Sequence, residues 1–216
     1  IMINKGQKRF LECERLIIFI GLMGVGGFLG AYTYSIRGGV FCNAQTANFV
    51  LLAMAIGKWD LSGAAYLLIP ISAYFLGAVL SEALPIHVKK FGLVRWDTLL
   101  VGIEVLVTFM LGLLPETAPY QITQVAVNFI CSMQYNTFRQ AEGTPMSTTF
   151  CTNHLRQVGI NFVKWLRKGK SDSLGRSVKH LCMLGTFVLF GIISTVLCRL
   201  FSVSYTHLTL PTTSRV

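Results

Sequence analysis

Glu104 lies inside an apolar run, Leu99-Leu100-Val101-Gly102-Ile103-Glu104-Val105-Leu106-Val107-Thr108-Phe109-Met110-Leu111. A carboxylate at the centre of a membrane helix costs about 2.5–3.5 kcal/mol on insertion scales, so one that persists faces a bundle interior or a water-filled path. There it could carry charge or a proton. A buried acid that serves packing alone is the competing reading. Amides and hydroxyls form a second group of candidates. Asn43, Gln45, Thr46 and Asn48 crowd beside Gly38-Gly39. Irregular backbone at membrane depth is tolerated only where it is buried in protein or lines a cavity. Amides and hydroxyls at such a place could replace the hydration of a solute, although an ordinary surface loop has the same composition. A third group, Gln121, Gln124, Asn128, Gln134 and Asn136, falls in one otherwise apolar segment. The first three share a helical face by spacing. They could face water or hydrogen-bond between helices.

The rest of the chain offers little conventional chemistry. No Ser/His/Asp set and no phosphate-binding loop is visible, and an enzyme would have to use Glu104, Glu82 or His154 without a recognisable partner. The chain therefore reads as a non-enzyme. His87, His154, His180 and His207 have no metal-ligand spacing with the six cysteines or with one another. Those cysteines form no CxxC pair and read as small buried hydrophobes. No cofactor or metal is expected. Gly21, Gly24, Gly26, Gly27 and Gly30 crowd one apolar run, but no strand precedes them and no acidic partner follows in a βαβ unit, so they are not a dinucleotide fingerprint; Gly26-x-x-x-Gly30 suits close helix packing.

These residues need elements to hold them, and composition says which. Of 216 residues, 53% are hydrophobic and 13% charged, about half the charge of a soluble domain. An all-α, polytopic membrane helix bundle follows, with the lipid bilayer as its surroundings. The net charge of +10 sits at the ends of apolar runs, without the basic stripe and interleaved aromatics of a nucleic-acid binder. Nucleic acid is not expected as a partner. A small solute or a proton is, and self-association as a homo-oligomer stays open.

About five full spans are expected: 16–36, 61–81, 98–114, 117–138 and 181–198, each long enough to cross. Residues 38–57 and 146–166 are different. Each starts polar and leads into a short helix that ends in Lys-Trp, at Lys58-Trp59 and at Lys164-Trp165. Thr152 stands in the second as Thr46 does in the first. The order long span, polar break, short helix, Lys-Trp, long span occurs twice. If both short helices re-enter instead of crossing, the clusters at Lys89 to Arg95 and Lys164 to Lys179 fall on the side of the basic N-terminus, residues 1–15, and the Glu116 turn falls opposite. The positive-inside rule prefers that arrangement and makes the N-terminus cytoplasmic. It yields an inverted repeat, a common transporter architecture, with half-repeats at about 16–115 and 117–201 in a single domain of residues 16–201. The second half lacks a counterpart of the 98–114 span.

Gly27-Phe28-Leu29-Gly30-Ala31-Tyr32-Thr33-Tyr34, Arg37-Gly38-Gly39-Val40-Phe41-Cys42-Asn43-Ala44-Gln45-Thr46-Ala47-Asn48 and Ser132-Met133-Gln134-Tyr135-Asn136-Thr137-Phe138-Arg139, with Thr148-Thr149-Phe150-Cys151-Thr152, together resemble the YoaK-like family of bacterial multi-pass inner-membrane proteins. The likeness covers roughly residues 15 to 200. It implies the bacterial cytoplasmic membrane and leaves the activity open. It also implies an acid in the third span, matched by Glu104. The family pattern has Asp where this chain has Gly30, and Thr-Gly-Asn where it has Thr46-Ala47-Asn48 and Thr152-Asn153-His154. The polar residues 202–216 read as a non-native tail. The expectation is a small-solute transporter or channel, with Glu104, Asn43, Gln45, Thr46, Asn48, Gln134, Asn136 and Thr152 along its path. A non-transporting membrane scaffold is the alternative.

Overall fold

In a computed structural model, the backbone is described for residues 10–91, 95–115 and 117–208, and side chains for 10–88, 95–115 and 117–200. A short 3-10 turn, Glu12–Glu14, leads into α1 (Leu16–Ile36). There follow α2 (Gln45–Gly57), α3 (Leu61–Phe91), α4 (Trp96–Gly112), α5 (Tyr120–Thr137), α6 (Thr152–Lys168) and α7 (Ser171–Leu208). Between α5 and α6 is a two-residue hairpin, β1 (Gln140–Ala141) paired with β2 (Thr144–Pro145). The sequence reading did not foresee it. Its turn residues Glu142 and Gly143 have φ of 48° and 72°, the left-handed pair that tight hairpins demand.

The fold is all-helical as expected. Among the described residues, three helical segments are long and apolar enough to cross a membrane: Leu16–Ile36, Leu61–Val88 and Ser171–Leu200. This marks a membrane protein. The helix α4 has 17 residues and α5 has 18 with several amides, and neither is among these three, so three of the five expected spans meet the length and hydropathy of a crossing helix. The distribution of side chains is that of a chain solvated by lipid. Phe75, Val105, Phe109 and Val188 face outward, whereas Gln124, Asn128 and Gln134 are buried.

Contacts fix the relative directions of the helices. Phe19 and Met23 share a core with Met183, Gly27 lies against the Phe187 backbone, and Gly191 approaches Ala31. So α1 and α7 run parallel. Likewise the Tyr66 hydroxyl meets Gln124 at 2.8 Å and the Ser81 hydroxyl meets Asn136 at 2.8 Å, so α3 and α5 run parallel. In contrast, α5 is antiparallel to α1, because Gln124 donates to the Arg37 carbonyl at 2.7 Å while Gln134 reaches the Leu22 carbonyl at 3.4 Å. It is antiparallel to α4 as well: Trp96 donates to Thr137 at 2.9 Å, and Leu111 packs with Val127. Residues 15, 95, 139 and 168 therefore stand at one end of the bundle, the N-terminal end, and residues 37, 58–60 and 113–115 at the other.

Glycine explains the tightest joint. A Cβ on Gly27 would overlap the Phe187 carbonyl, and one on Gly24 would touch the Phe190 ring at 3.0 Å. The glycines let α1 and α7 approach closely, the use of small residues in membrane helix pairs. The part of α7 beyond residue 200 has no described side chains, and residues 1–9 and 209–216 lie outside the described residues. The expectations of a basic N-terminal arm and a non-native tail fall there, apart from the short stretches of each that are described.

Candidate functional site

Two breaks in helical structure converge on the middle of α1. The first, residues 38–44, turns back from the end of α1 through Gly38 and Gly39, whose φ values of 86° and 69° only glycine adopts freely. It carries Asn43 inward, and the Asn43 amide donates to the Gly26 carbonyl at 3.0 Å. The second, residues 146–151, enters from the hairpin at the opposite end. Its Thr148 carbonyl would lie 2.9 Å from a Cβ on Gly26, and the Gln134 amide reaches the same carbonyl at 3.5 Å. Gly26 thus touches both breaks and sits at the centre of the 21-residue α1.

From this centre α2 and α6 run outward in opposite directions. The start of α2 is tied to α5: Gln45 donates to Asn128 Oδ1 at 2.5 Å, and Asn128 donates to the Gln124 carbonyl at 2.7 Å. Asn48 donates to the Phe41 carbonyl at 2.9 Å and to Gln45 Oε1 at 3.2 Å, while its own buried Oδ1 has no partner among the described residues. At the outer end Lys58, Trp59 and Asp60 turn α2 into α3, and Asp60 caps α3 by accepting from the Gly63 N–H at 2.9 Å. The second short helix folds back on α7. The Ser177 hydroxyl donates to the Val158 carbonyl at 3.0 Å, with Gly169 in the left-handed conformation at the turn.

The structure places the expected residues as follows. Asn43, Asn48 and Gln134 are buried, and Gln45 is half-buried; all four touch one of the two breaks or α2 beside them. Thr46 and Thr152 are exposed on the first turns of α2 and α6, so neither hydroxyl points into the centre. Asn136 is half-buried and donates to Ser81 at 2.8 Å and Glu82 at 3.1 Å. Glu104 is 6% exposed, on the face of α4 that carries Leu100 and Leu111 toward α5. Its Oε1 has no hydrogen-bond partner among the described residues. The amides of Gln134 and Asn136 bond to other groups, so among the described residues neither is a hydrogen-bond partner of Glu104.

The sequence reading missed a partner for His154. His154 and His180 are both fully buried, with Nδ1 atoms 2.8 Å apart, and His154 Nε2 lies 2.8 Å from the Ser147 carbonyl. A carbonyl only accepts, so Nε2 of His154 carries the hydrogen and its Nδ1 in the neutral ring accepts from the Nδ1–H of His180. The pair thus connects the second break to α7. Nothing in the sequence marks the pair: the two histidines are 26 residues apart and meet only because α6 packs back on α7. Among the described residues no group of three metal-binding side chains occurs.

Arg37 was missed too. It is buried at 3% exposure and donates to the carbonyls of Leu114 and Pro115, both at 3.3 Å, and to the Tyr32 hydroxyl at 3.0 Å. It ties the end of α1 to the end of α4. The breaks also share an aromatic device. Tyr34 stacks on Phe41 and Tyr135 packs on Phe150, each with ring centroids 4.5 Å apart. In each break the Phe precedes a Cys, Cys42 or Cys151.

The chain matches the family described as protein of unknown function (DUF1275) over residues 18–214. It belongs to that family. The match takes in both breaks, Glu104 and the His154–His180 pair. No curated protein and no solved structure matches the chain.

Proposed function

We propose that this protein passes a small polar solute across the bacterial cytoplasmic membrane, through the place where its two polar breaks meet. The observation that carries the reading is the double contact at Gly26, which accepts the Asn43 amide on one side and abuts the Thr148 carbonyl on the other. Non-helical backbone at mid-helix depth is tolerated where it lines a cavity or is buried in protein. Interrupted helices meeting at a repeat interface are how many transporters build a site.

The parallel pairs α1/α7 and α3/α5 support an inverted repeat. In it, α1, the first break, α2 and α3 correspond to α5, the second break, α6 and α7. The recurrence of the Tyr–Phe contact supports the same equivalence. On this reading α4 is a fifth span beside α1, α3, α5 and α7, and both short helices re-enter. The N-terminal end, rich in Lys and Arg, is cytoplasmic. Glu104 is the group that carries charge or a proton, and the amides of Asn43, Gln45, Asn48 and Gln134 replace solute hydration.

A membrane scaffold is the second reading. It is favoured by the amides that already bridge helices, such as Gln124 to Tyr66 and Asn136 to Ser81. Flux separates the two. Full-length protein in liposomes is expected to release entrapped small solutes or protons faster than empty liposomes, and Glu104→Gln is expected to slow that release while remaining folded in the membrane. Equal release from protein-containing and empty liposomes favours the scaffold.

A further inference from the structure

A cavity of about 360 Å³ opens between α5, the hairpin and the second break, at the N-terminal end of the bundle. That volume lies within the range of small-molecule sites. One wall is apolar: Tyr135 and Phe150, with centroids 4.5 Å apart at 57°, and the buried Met146. The other is polar, made by Arg139, Asn136 and Asn153.

The polar wall has a sign. Arg139 gives one nitrogen, Nη2, to Glu82 at 2.7 Å and to Asn136 Oδ1 at 2.7 Å, and its Nε donates to the Asn136 carbonyl at 2.6 Å. Its Nη1 has no hydrogen bond among the described residues. Arg156 holds Asn153 Oδ1 at 3.0 Å, and the Asn153 NH2 group makes no hydrogen bond among the described residues. Arg139 is the one charged side chain among the residues lining the cavity, and both Glu82 and Arg156 stand behind the wall as partners of its lining residues. The groups so left on this wall are donors, and a guanidinium recognises a carboxylate through two parallel hydrogen bonds. Ser147, whose carbonyl anchors His154, also lines the cavity.

We propose that this cavity binds a small organic carboxylate, its acid group on Arg139 and Asn153 and its apolar part against Tyr135, Phe150 and Met146. The inference deepens the transport reading by naming the solute class that enters from the N-terminal end.

The test is binding by full-length protein in detergent, with benzoate and its neutral isostere benzamide as probes, followed by calorimetry. Benzoate is expected to bind at least about tenfold more tightly than benzamide, since a charge-assisted bond is roughly twice as strong as a neutral one. Arg139→Gln is expected to erase that preference. Asn153→Asp leaves the Arg139–Glu82 contact in place and is expected to weaken benzoate while sparing benzamide, so the site stays testable if the Arg139 variant does not fold. Phe150→Ala is expected to weaken both probes alike. Equal binding of the two probes, or a preference that survives both Arg139→Gln and Asn153→Asp, overturns the proposal. Benzoate binding without benzoate flux in liposomes upholds the site and counts against transport alone.

Discussion

At the scale of single residues the chain holds several polar groups at a cost to its stability. Glu104 is the clearest. A buried acceptor left without a partner costs about 1–3 kcal/mol, and nothing in the packing around Leu100 and Leu111 needs a carboxylate. Glu104→Met is therefore expected to raise the thermal stability of purified protein, read by unfolding of the detergent-solubilised chain. A loss of stability would mean that the acid is structural. Glu142 behaves in the opposite way. The Lys179 ammonium bonds to it at 2.5 Å and holds its carboxyl below the ordinary range. A depressed carboxylate stabilises the fold above its ordinary value and loses that contribution as the pH falls through its lower folded value. Both side chains are about one-third exposed, so the pair is worth under about 1 kcal/mol. Lys179→Met should lower stability slightly at neutral pH and leave it unchanged in strong acid, which a pH series of melting temperatures reads directly.

At the scale of elements the decisive joint is α1 against α7. Gly27 has no room for a methyl group against the Phe187 backbone. Overpacking of this kind costs about 1–3 kcal/mol or more. Gly27→Ala is expected to lower the melting temperature by several degrees, whereas Gly21→Ala, which meets nothing within 4 Å, should leave it unchanged. Equal melting of the two variants would show that the glycines are not there for close approach. The two short helices end in different ways. At the end of α2, Trp59 takes a φ of 59°, a left-handed conformation that favours glycine, whereas α6 uses Gly169 at the same φ of 59°. Trp59 is 86% exposed, so burial of its indole does not impose that backbone.

At the scale of the whole molecule the directions of the helices make a topological prediction. In a cysteine-free background, single cysteines at Arg139 and Lys168 should react with an impermeant thiol reagent from one side of the membrane, and a cysteine at Lys58 from the other. Labelling of all three from one side would remove the re-entrant reading of α2 and α6. Gly26→Val is expected to separate the two breaks, since both reach this one residue, and to abolish flux if transport is the activity.

The sequence by itself determined the class of solvent and most of the elements. Uncharged runs bounded by Arg15 and Arg37, or by Asp60 and Glu82, are long and apolar enough to cross a membrane as helices, and α1 spans Leu16–Ile36 between its two bounding charges. The polar starts at 38–48 and 146–153 were legible as breaks, although their last residues already belong to the first turns of α2 and α6. What the sequence left undetermined depended on which surfaces meet. Glu104 announced its burial, but that its Oε1 finds no hydrogen bond among the described residues follows from Gln134 and Asn136 being turned to other groups. His154 and His180 stand 26 residues apart, a separation that means nothing until α6 folds back along α7. The hairpin at 140–145 was missed because two-residue strands leave no alternating pattern. The meeting of both breaks at Gly26 was decided by tertiary structure alone: a glycine codes only for absence of a side chain, and what fills that space belongs to distant parts of the chain.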